Sequence, residues 1–236
     1  MAARFDAATD VYTALTGLPS SSSVWSVTLW ALLSVDRDTY CGFLDMPQTT
    51  GADAATWQYP GVGGNGTTII GAFSDATEIS SPAIDMTVGT WFRVALTRAS
   101  ATSATLYRGA AGSALTATTN AAMSTNITGT PAKLWLGSDS YSAEWWNGRL
   151  ANVKLYNAAL TQAEVEVELG QYVPVMTANL LRWHPMVGAE TTDRSGNGNT
   201  LTAGSTAATT EDGPPIPWMV MAQPQPMTAR RRAANF

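Results

Sequence analysis

The sequence has a single cysteine, Cys41, and a single histidine, His184, among its 236 residues. One cysteine cannot form an intrachain disulfide or a cysteine-based metal cluster, and one histidine cannot supply a histidine-based zinc site. A serine or cysteine nucleophile would need His184 as its base. Because that residue ends an apolar run and precedes Pro185, the sequence favours a structural role for it in a buried strand.

Charged residues are also scarce, at 13% of the chain against about 25% in a typical globular protein. No apolar run approaches the roughly 18 residues of a membrane span, and the N-terminus lacks the apolar stretch of a secretion signal. Hydrophobic residues still make up 45% of the chain and include nine tryptophans, which excludes generic disorder. These values predict a soluble, core-forming protein that is either made and kept in a cytoplasm or assembled there into something larger.

The charges are unevenly placed along the chain. The formal net charge is −5, yet three adjacent arginines, Arg230, Arg231 and Arg232, stand within the last seven residues. Removing them from the thirteen basic residues leaves ten against eighteen acidic ones, a net charge of −8 for residues 1–229. An acidic body repels a phosphate backbone, so we expect no nucleic-acid partner. The arginines fit either a solvated chain end or a contact with phosphate or an acidic neighbour.

Alternating apolar residues predict many short strands. In residues 25–35 every odd position is apolar, as in a long strand with one fully buried face and a partly covered second face. Further candidate strands lie at residues 40–46, 67–73, 91–98, 104–107, 134–136, 151–156 and 180–183. Clusters of glycine, proline, asparagine and serine, predicted as turns, occur at residues 61–66, 80–82, 109–112 and 195–198. The pattern predicts an all-β sandwich or barrel.

One short helix is predicted, over residues 161–169. Thr161 and Glu164 have the spacing of a capping box, and a glycine follows the segment. The alternative is a strand that would bring the carboxylates of Glu164, Glu166 and Glu168 to one face, as a glycosidase cleft requires. The capping box favours the helix, which separates these carboxylates, so we expect no catalytic acid pair and no enzyme activity.

Two further segments resemble parts of ligand sites. Residues 63–66 are rich in glycine but lack the Lys-Ser/Thr and the following helix of a phosphate-binding loop, so we expect a turn. Residues 193–199 carry side-chain oxygens at alternate positions, as in part of a calcium loop, but lack the closing glutamate. Their Asn-Gly pair is equally typical of a hairpin turn. We expect no cofactor, with calcium as the alternative.

An aromatic cluster is the candidate ligand site. Trp145 and Trp146 are adjacent in a turn-like stretch, and neighbouring strand residues face opposite sides, so we expect at least one ring at the surface. Asn147 follows them, and Asp139 and Tyr141 precede them. An exposed tryptophan beside polar groups suits a sugar or a docking protein. The alternative is that both rings only cap the two faces of the fold.

The last part of the chain differs from the rest. Residues 214–226 contain five prolines and no periodicity, which excludes a strand interior. We therefore divide the chain into a domain of residues 1–213 and an extended arm of residues 214–236. The arm carries more apolar surface than simple disordered tails have, so we expect it to dock on a partner. Its candidate docking residues are Trp218, Met219, Met221, Arg230, Arg231 and Arg232.

Three motif blocks resemble those of one known family. Residues 89–97 (GTWFRVALT) match a G-x-W-x-x-V-A-L-T strand, and residues 105–109 (TLYRG) match an L-Y-x-D-G hairpin with Arg108 where aspartate is usual. Residues 134–161 are similar to an L-x-I-G element followed by F-x-G-x-I-D-x-V-x-I-Y-N-R-A-L-S. Asn152 stands near a position where an acidic residue is common, which weakens the case for calcium. Together the blocks resemble the laminin-G-like, concanavalin A-like jelly-roll family.

The order of the blocks is unusual for that family. Residues 181–186 (LRWHPM) and 193–199 resemble the block that normally opens such domains, yet here it lies near the end, as in a circularly permuted domain. The resemblance implies a two-sheet antiparallel β-sandwich with one short helix. It also implies a concave face of the kind that family members use for glycans or proteins.

Two functions are compatible with this sequence. Family members are mostly secreted, so a fold of this type without a signal suggests a virus particle that is assembled in a host cytoplasm. We expect a non-enzymatic virion protein, such as a bacteriophage capsid-decorating or fibre-associated protein. It would dock on the major capsid protein, another virion protein or further copies of itself. The alternative is a lectin-like module for a cell-surface polysaccharide; neither involves nucleic acid or a membrane.

Overall fold

The structure is a computed structural model that describes residues 1–6, 12–19, 24–35, 40–46, 60–65, 68–73, 77–122, 131, 133–138, 145–187, 190–204 and 209–216. In chain order the elements are β1 (Ala2–Phe5), β2 (Tyr12–Ala14), β3 (Trp25–Leu33), β4 (Tyr40–Asp45), β5 (Pro60–Asn65), β6 (Thr68–Phe73), β7 (Thr77–Asp85), β8 (Trp91–Ser100), β9 (Ser103–Ala110), β10 (Thr116–Asn120), β11 (Leu134–Leu136), β12 (Gly148–Tyr156), α1 (Gln162–Gly170), β13 (Leu180–His184), β14 (Thr202–Ala203) and β15 (Thr209–Glu211). Among these described residues, no helix is long and apolar enough to cross a membrane.

In the described part of the chain the strands form two sheets. Sheet A has eight strands, in the order β10-β9-β8-β3-β12-β1-β15, with β13 also paired to β12. Sheet B has seven, in the order β14-β2-β11-β4-β5-β6-β7. β1 and β13 share one edge of β12, because β1 pairs with residues 148–150 and β13 with residues 153–156. The strand pairings are antiparallel, which confirms the two-sheet antiparallel β-sandwich.

The main core lies between the two sheets, and β3 shows how the sequence builds it. The odd residues of this strand, among them Trp25 and Leu29, point into the core. The even residues lie on the opposite face, where Ser26 and Thr28 are as buried as the core itself. The prediction of one fully buried face is confirmed. The second face, expected to be partly covered, is fully covered because α1 packs on it.

Helix α1 covers the outer face of sheet A. Its capping box is formed, since the Thr161 N–H donates to the Glu164 carboxylate at 2.8 Å and the Thr161 hydroxyl accepts from the Glu164 N–H. Val165 and Leu169 pack with Trp30 of β3 in a second apolar cluster. The Trp30 indole N–H donates to the Leu169 carbonyl at 3.0 Å. The predicted helix is confirmed.

Two segments predicted as turns are strands. Residues 61–66 fall largely in β5, and residues 80–82 fall in β7. Glycine keeps both backbone hydrogen-bonding groups, so the glycine-rich β5 pairs with β4 on one side and β6 on the other. β7 is the edge strand of sheet B, where Pro82 can be accommodated. The turn predicted at residues 195–198 is confirmed.

The predicted arm begins on the body of the sandwich. Ile216 is buried in the same outer apolar cluster as Trp30, so residues 214–216 pack on sheet A. The remaining residues, 217–236, lie outside the described part of the chain. All six predicted docking residues belong to them, namely Trp218, Met219, Met221, Arg230, Arg231 and Arg232. The boundary at residue 213 stays a prediction.

Candidate functional site

The tryptophan pair lies just before β12. Trp146 is completely buried, and its ring contacts that of Phe43 edge to face, with 4.5 Å between the centroids. A Cβ atom at Gly148 would lie 2.7 Å from the Trp146 ring, so the indole fills its site without spare room. The ring belongs to the core between the sheets and offers no surface to a ligand. The prediction that Trp146 binds a ligand is therefore wrong.

The other members of the predicted site are placed differently. Trp145 is half-buried and forms an isolated bridge with Gly42. Asn147 is half-buried as well, and its carbonyl accepts from the Ser34 N–H at 3.0 Å. A ligand role for these two residues stays a prediction. Asp139 and Tyr141 lie outside the described residues.

A second aromatic surface lies on the outer face of sheet B. Leu134 and Leu136 of β11 point into the core, so Trp135 between them points outward and is half-buried. The Lys133 ammonium lies 4.2 Å from the centroid of the Trp135 ring. In β4, Asp45 stands directly opposite Trp135 and is buried. We call Lys133, Trp135 and Asp45 the Trp135 patch.

The neighbouring strand places a glycine beside this patch. β5 lies on the far side of β4, and Gly61 is the register partner of Asp45. A glycine there adds no side chain to the outer face of the sheet. The sequence predicts a strand at residues 134–136, but the candidate ligand residues predicted from it do not include Trp135. The alternation that turns Trp135 outward between two core leucines was the available signal.

The segment at residues 193–199 has a structural role. The Asp193 carboxylate accepts from the backbone N–H groups of Trp183, Ser195 and Asn199 at 2.9–3.0 Å and from the Ser195 hydroxyl at 2.8 Å. Burial alone would raise the pKa of Asp193, but these hydrogen bonds hold it below its usual range. The carboxylate thus holds its own loop against β13. Among the described residues, no group of three or more His, Cys, Asp or Glu could hold a metal ion.

Asn152 also serves the fold. It adopts a left-handed backbone conformation with φ of 52°, at a register irregularity between β12 and β3. Its side chain donates to the Gln171 carbonyl at 3.0 Å and accepts from the Trp183 indole N–H at 2.9 Å. Both ends of the amide are therefore used to tie β12 to β13 and to the segment after α1.

The three glutamates of α1 do not form a catalytic pair. Glu164 caps the helix, and Glu166 is exposed. Glu168 is completely buried and accepts from the Lys154 ammonium at 2.8 Å. Burial alone would raise the pKa of Glu168, but Lys154 and further hydrogen bonds hold it below its usual range. Burial lowers the pKa of Lys154, and the attraction to Glu168 partly offsets this.

His184 is poorly suited to act as a base. It is buried on the inner side of β13, and its Nε2 lies 3.3 Å from the Arg182 guanidinium. Burial, together with the Arg182 charge, lowers the pKa of His184 to about 4. Arg182 in turn donates to the carbonyls of Thr16 and Gly17, which closes this end of the sandwich. The structure thus gives His184 a packing role, as the sequence predicts.

Two packed antiparallel sheets with one covering helix define a jelly-roll β-sandwich. Residues 6–166 match the model of the concanavalin A-like lectin/glucanases superfamily. The chain therefore belongs to this family. No curated protein sequence matches it.

Solved structures share the fold at low sequence identity. One is a Bacteroides ovatus protein provisionally assigned to carbohydrate binding, with a TM-score of 0.59 and 13% identity over 90% of this chain. Another is tailspike protein 2 of Escherichia coli O157:H7 bacteriophage CAB120, with a TM-score of 0.53 and 9% identity over 74% of this chain. The matches span 60% and 25% of those two proteins. At these identities the likeness concerns the fold.

Proposed function

We propose that the chain is a non-catalytic carbohydrate-binding module whose ligand lies on the Trp135 patch. The observation that carries the proposal is an outward, half-buried tryptophan with the Lys133 ammonium at its ring, on the same sheet face as the buried Asp45. The similarity to a protein provisionally assigned to carbohydrate binding supports it. The engagement of Glu164 in a helix cap and of Glu168 in a buried ion pair supports the absence of catalysis.

The chemistry of the patch matches that of a saccharide. A sugar ring has a face of C–H groups that can pack on an indole, and its hydroxyls can bond to the Lys133 ammonium. On a strand, the Trp135 ring stands roughly perpendicular to the sheet, and Lys133 lies over it. The part of the ring that remains exposed is available for stacking.

The proposal is tested by screening the full chain on a glycan array and measuring the affinity for each hit by calorimetry. Trp135→Ala should weaken binding about tenfold or more, and Trp135→Phe less, because buried aromatic anchors carry much of the energy of an interface. Trp145→Ala is the matched control, since Trp145 is the half-buried tryptophan of the other candidate site. If Trp145→Ala abolished binding and Trp135→Ala did not, the binding site would be assigned to Trp145. The absence of any glycan ligand would overturn the proposal.

A component of a virus particle is the second candidate function. It is favoured by the fold shared with a bacteriophage tailspike protein over 74% of this chain. In this case residues 217–236 would dock on a capsid protein or another virion protein after assembly in the host cytoplasm. The native protein should then sediment with particles in a density gradient. Sedimentation as free protein would exclude this function and leave carbohydrate binding unaffected.

A further inference from the structure

A groove of about 250 Å³ runs beside the start of α1, on the outer face of sheet A. Most of its lining is apolar or small, and one acidic side chain, that of Glu164, stands at the start of the helix. The lining residues are Ala158, Ala159, Leu160, Glu164, Val175, Met176, Thr177, Ala178 and Asn179. The groove therefore suits an apolar segment that carries some positive charge.

The surface near the groove is unusually apolar for a region in contact with water. Val167, Val173 and Val175 are 43%, 55% and 48% exposed, and they occur within nine residues of one another. Single exposed valines are normal, but a cluster of them around one helix points to an interaction surface. Val175 is also one of the residues that line the groove.

The groove is held open by buried polar contacts. The Glu168 carboxylate that pairs with Lys154 also accepts from the backbone N–H groups of Val175 and Met176, at 2.7 and 2.5 Å. At the other end, the Asn157 N–H donates to the Asn179 carbonyl at 2.8 Å. Val175 and Met176 of the groove are thereby fixed to α1, and Asn179 is fixed to the residue that follows β12. A segment that docks there need not first create its binding site.

The described chain ends on this same face. Ile216 is buried in the outer apolar cluster that also contains Leu160, a residue of the groove. Met1, Tyr172 and Pro214 surround it at a small pocket, and Tyr172 lies three residues before Val175. The next residues of the sequence therefore start on the same outer face of sheet A as the groove.

We propose that residues 217–236 of the same chain dock in this groove, with Trp218, Met219 and Met221 as apolar anchors. Met221 lies five residues after Ile216, and five extended residues span about 17 Å, more than the roughly 13 Å length of the nine-residue helix, so Met221 can reach along the groove. Trp218 lies only two residues after Ile216, which span about 7 Å, so it would contact the part of the groove nearest to Ile216. Tethering gives an effective concentration in the millimolar range, which favours this segment over a free partner.

Charge supports the same occupant. Residues 217–236 contain three arginines and no acidic residue, whereas residues 1–229 carry a net charge of −8. Glu164 lines the groove, and Glu166 is exposed on the same helix. Arg230, Arg231 and Arg232 can then lie near acidic side chains of α1, an attraction that salt weakens.

The proposal is tested by NMR on the full chain labelled with ¹⁵N. The triple variant Trp218→Ala/Met219→Ala/Met221→Ala should shift the backbone amide signals of residues 158–160 and 175–179. The docked fraction relative to the free fraction should fall about tenfold or more, because anchor residues dominate such contacts. The matched control is Gln223→Ala/Gln225→Ala in the same segment, which should leave these signals in place.

A second variant blocks the groove itself. Ala178 is exposed, so Ala178→Arg should leave the fold intact, as β3 and β12 signals will show, while filling the groove with a bulky cation. It should reproduce, at residues 158–160, the shifts caused by the triple variant. The signals of the unmodified chain should not depend on protein concentration. Unchanged groove signals in the triple variant would overturn the proposal, and so would a concentration dependence, which would assign the groove to a second copy.

Discussion

Lys154 and Glu168 form an ion pair that is completely shielded from water. The Lys154 ammonium has three acceptors within 2.8 Å, which are the Glu168 carboxylate and the carbonyls of Glu168 and Gln171. The pair thus binds the last turn of α1 to β12 and satisfies carbonyls that a helix end leaves without partners. The pair stabilises the fold only while both charges are present, because a buried charge without a partner is strongly unfavourable.

Removal of one member of this pair should be costly. Lys154→Met leaves the Glu168 carboxylate buried without its cation, and the free energy of unfolding should fall by about 3–5 kcal/mol. The double variant Lys154→Met/Glu168→Leu should recover part of this loss, since no buried charge remains. Urea unfolding monitored by circular dichroism gives both values. Glu166→Gln, an exposed change on the same helix, is the control; an equal effect of Lys154→Met and Glu166→Gln would contradict the prediction.

His184 should make the stability of the protein depend on pH. Its pKa is about 4 in the folded state and about 6.5 in an unfolded chain, so the unfolded state takes up a proton more readily. This stability is fully present above pH 6.5 and is lost as the pH falls towards 4. The free energy of unfolding should be about 2 kcal/mol lower at pH 5 than at pH 7.

The measurement is urea unfolding across this pH range. His184 is the only histidine of the chain, so His184→Gln should largely remove the slope between pH 7 and 5. The comparison concerns the slope, since the variant can also change the stability at pH 7. A slope that survives in His184→Gln would assign it to other groups.

At the residue scale, sequence patterns predict the face on which a side chain lies better than they predict which residue it contacts. The alternation in β11 turns Trp135 outward, but its meeting with Asp45 depends on the register between two strands far apart in sequence. Likewise, the capping box reveals that Glu168 is helical, but not that Lys154 lies beneath it. The alternation of adjacent strand residues predicts that at least one of Trp145 and Trp146 lies at the surface, but it does not say which, and it included Trp146 among the candidate ligand residues. The structure places Trp146 instead in a core site completed by Phe43.

At the element scale, α1 begins with a capping box that can be tested on its own. Thr161→Ala removes the hydroxyl that accepts from the Glu164 N–H, and the loss of such a cap costs about 1 kcal/mol. Thermal unfolding should show a fall of about 2–4 °C in Tm. Thr161→Ser keeps the hydroxyl and should stay close to the unmodified protein. A Tm equally lowered by both changes would show that the cap is not the cause.

Helix α1 could be predicted from the sequence more readily than strand β5. The signal for α1 is local, since Thr161 and Glu164 are three residues apart and bond to each other. The signal for β5 is not, because Gly61, Gly63 and Gly64 become strand residues only through pairing with β4 and β6. Local composition alone indicates a turn there. The register of sheet B could therefore not be obtained from the sequence.

At the scale of the whole molecule, the two ends of the sandwich are adjacent. β1 pairs with β15, and a Cβ atom at Gly213 would collide with the backbone of Met1. Residues 1–216 should therefore tolerate circular permutation, with a Gly/Ser linker from Ile216 to Met1 and new ends at the exposed Gly112 between β9 and β10. Circular dichroism and urea unfolding should show a cooperatively folded β protein. New ends inside β3, between Leu29 and Trp30, are the control and should prevent folding.

The strand order of sheet A also has a consequence for synthesis. β3 is buried along its whole length, and one of its two neighbours, β12, begins at Gly148. A ribosome that adds about 5–20 residues per second needs roughly 6–23 s to pass from Leu33 to that point. During this interval one edge of a strongly apolar strand is without its native neighbour. During this interval the nascent chain is most open to pairing with another copy. The risk of misassembly is therefore highest before β12 emerges from the ribosome.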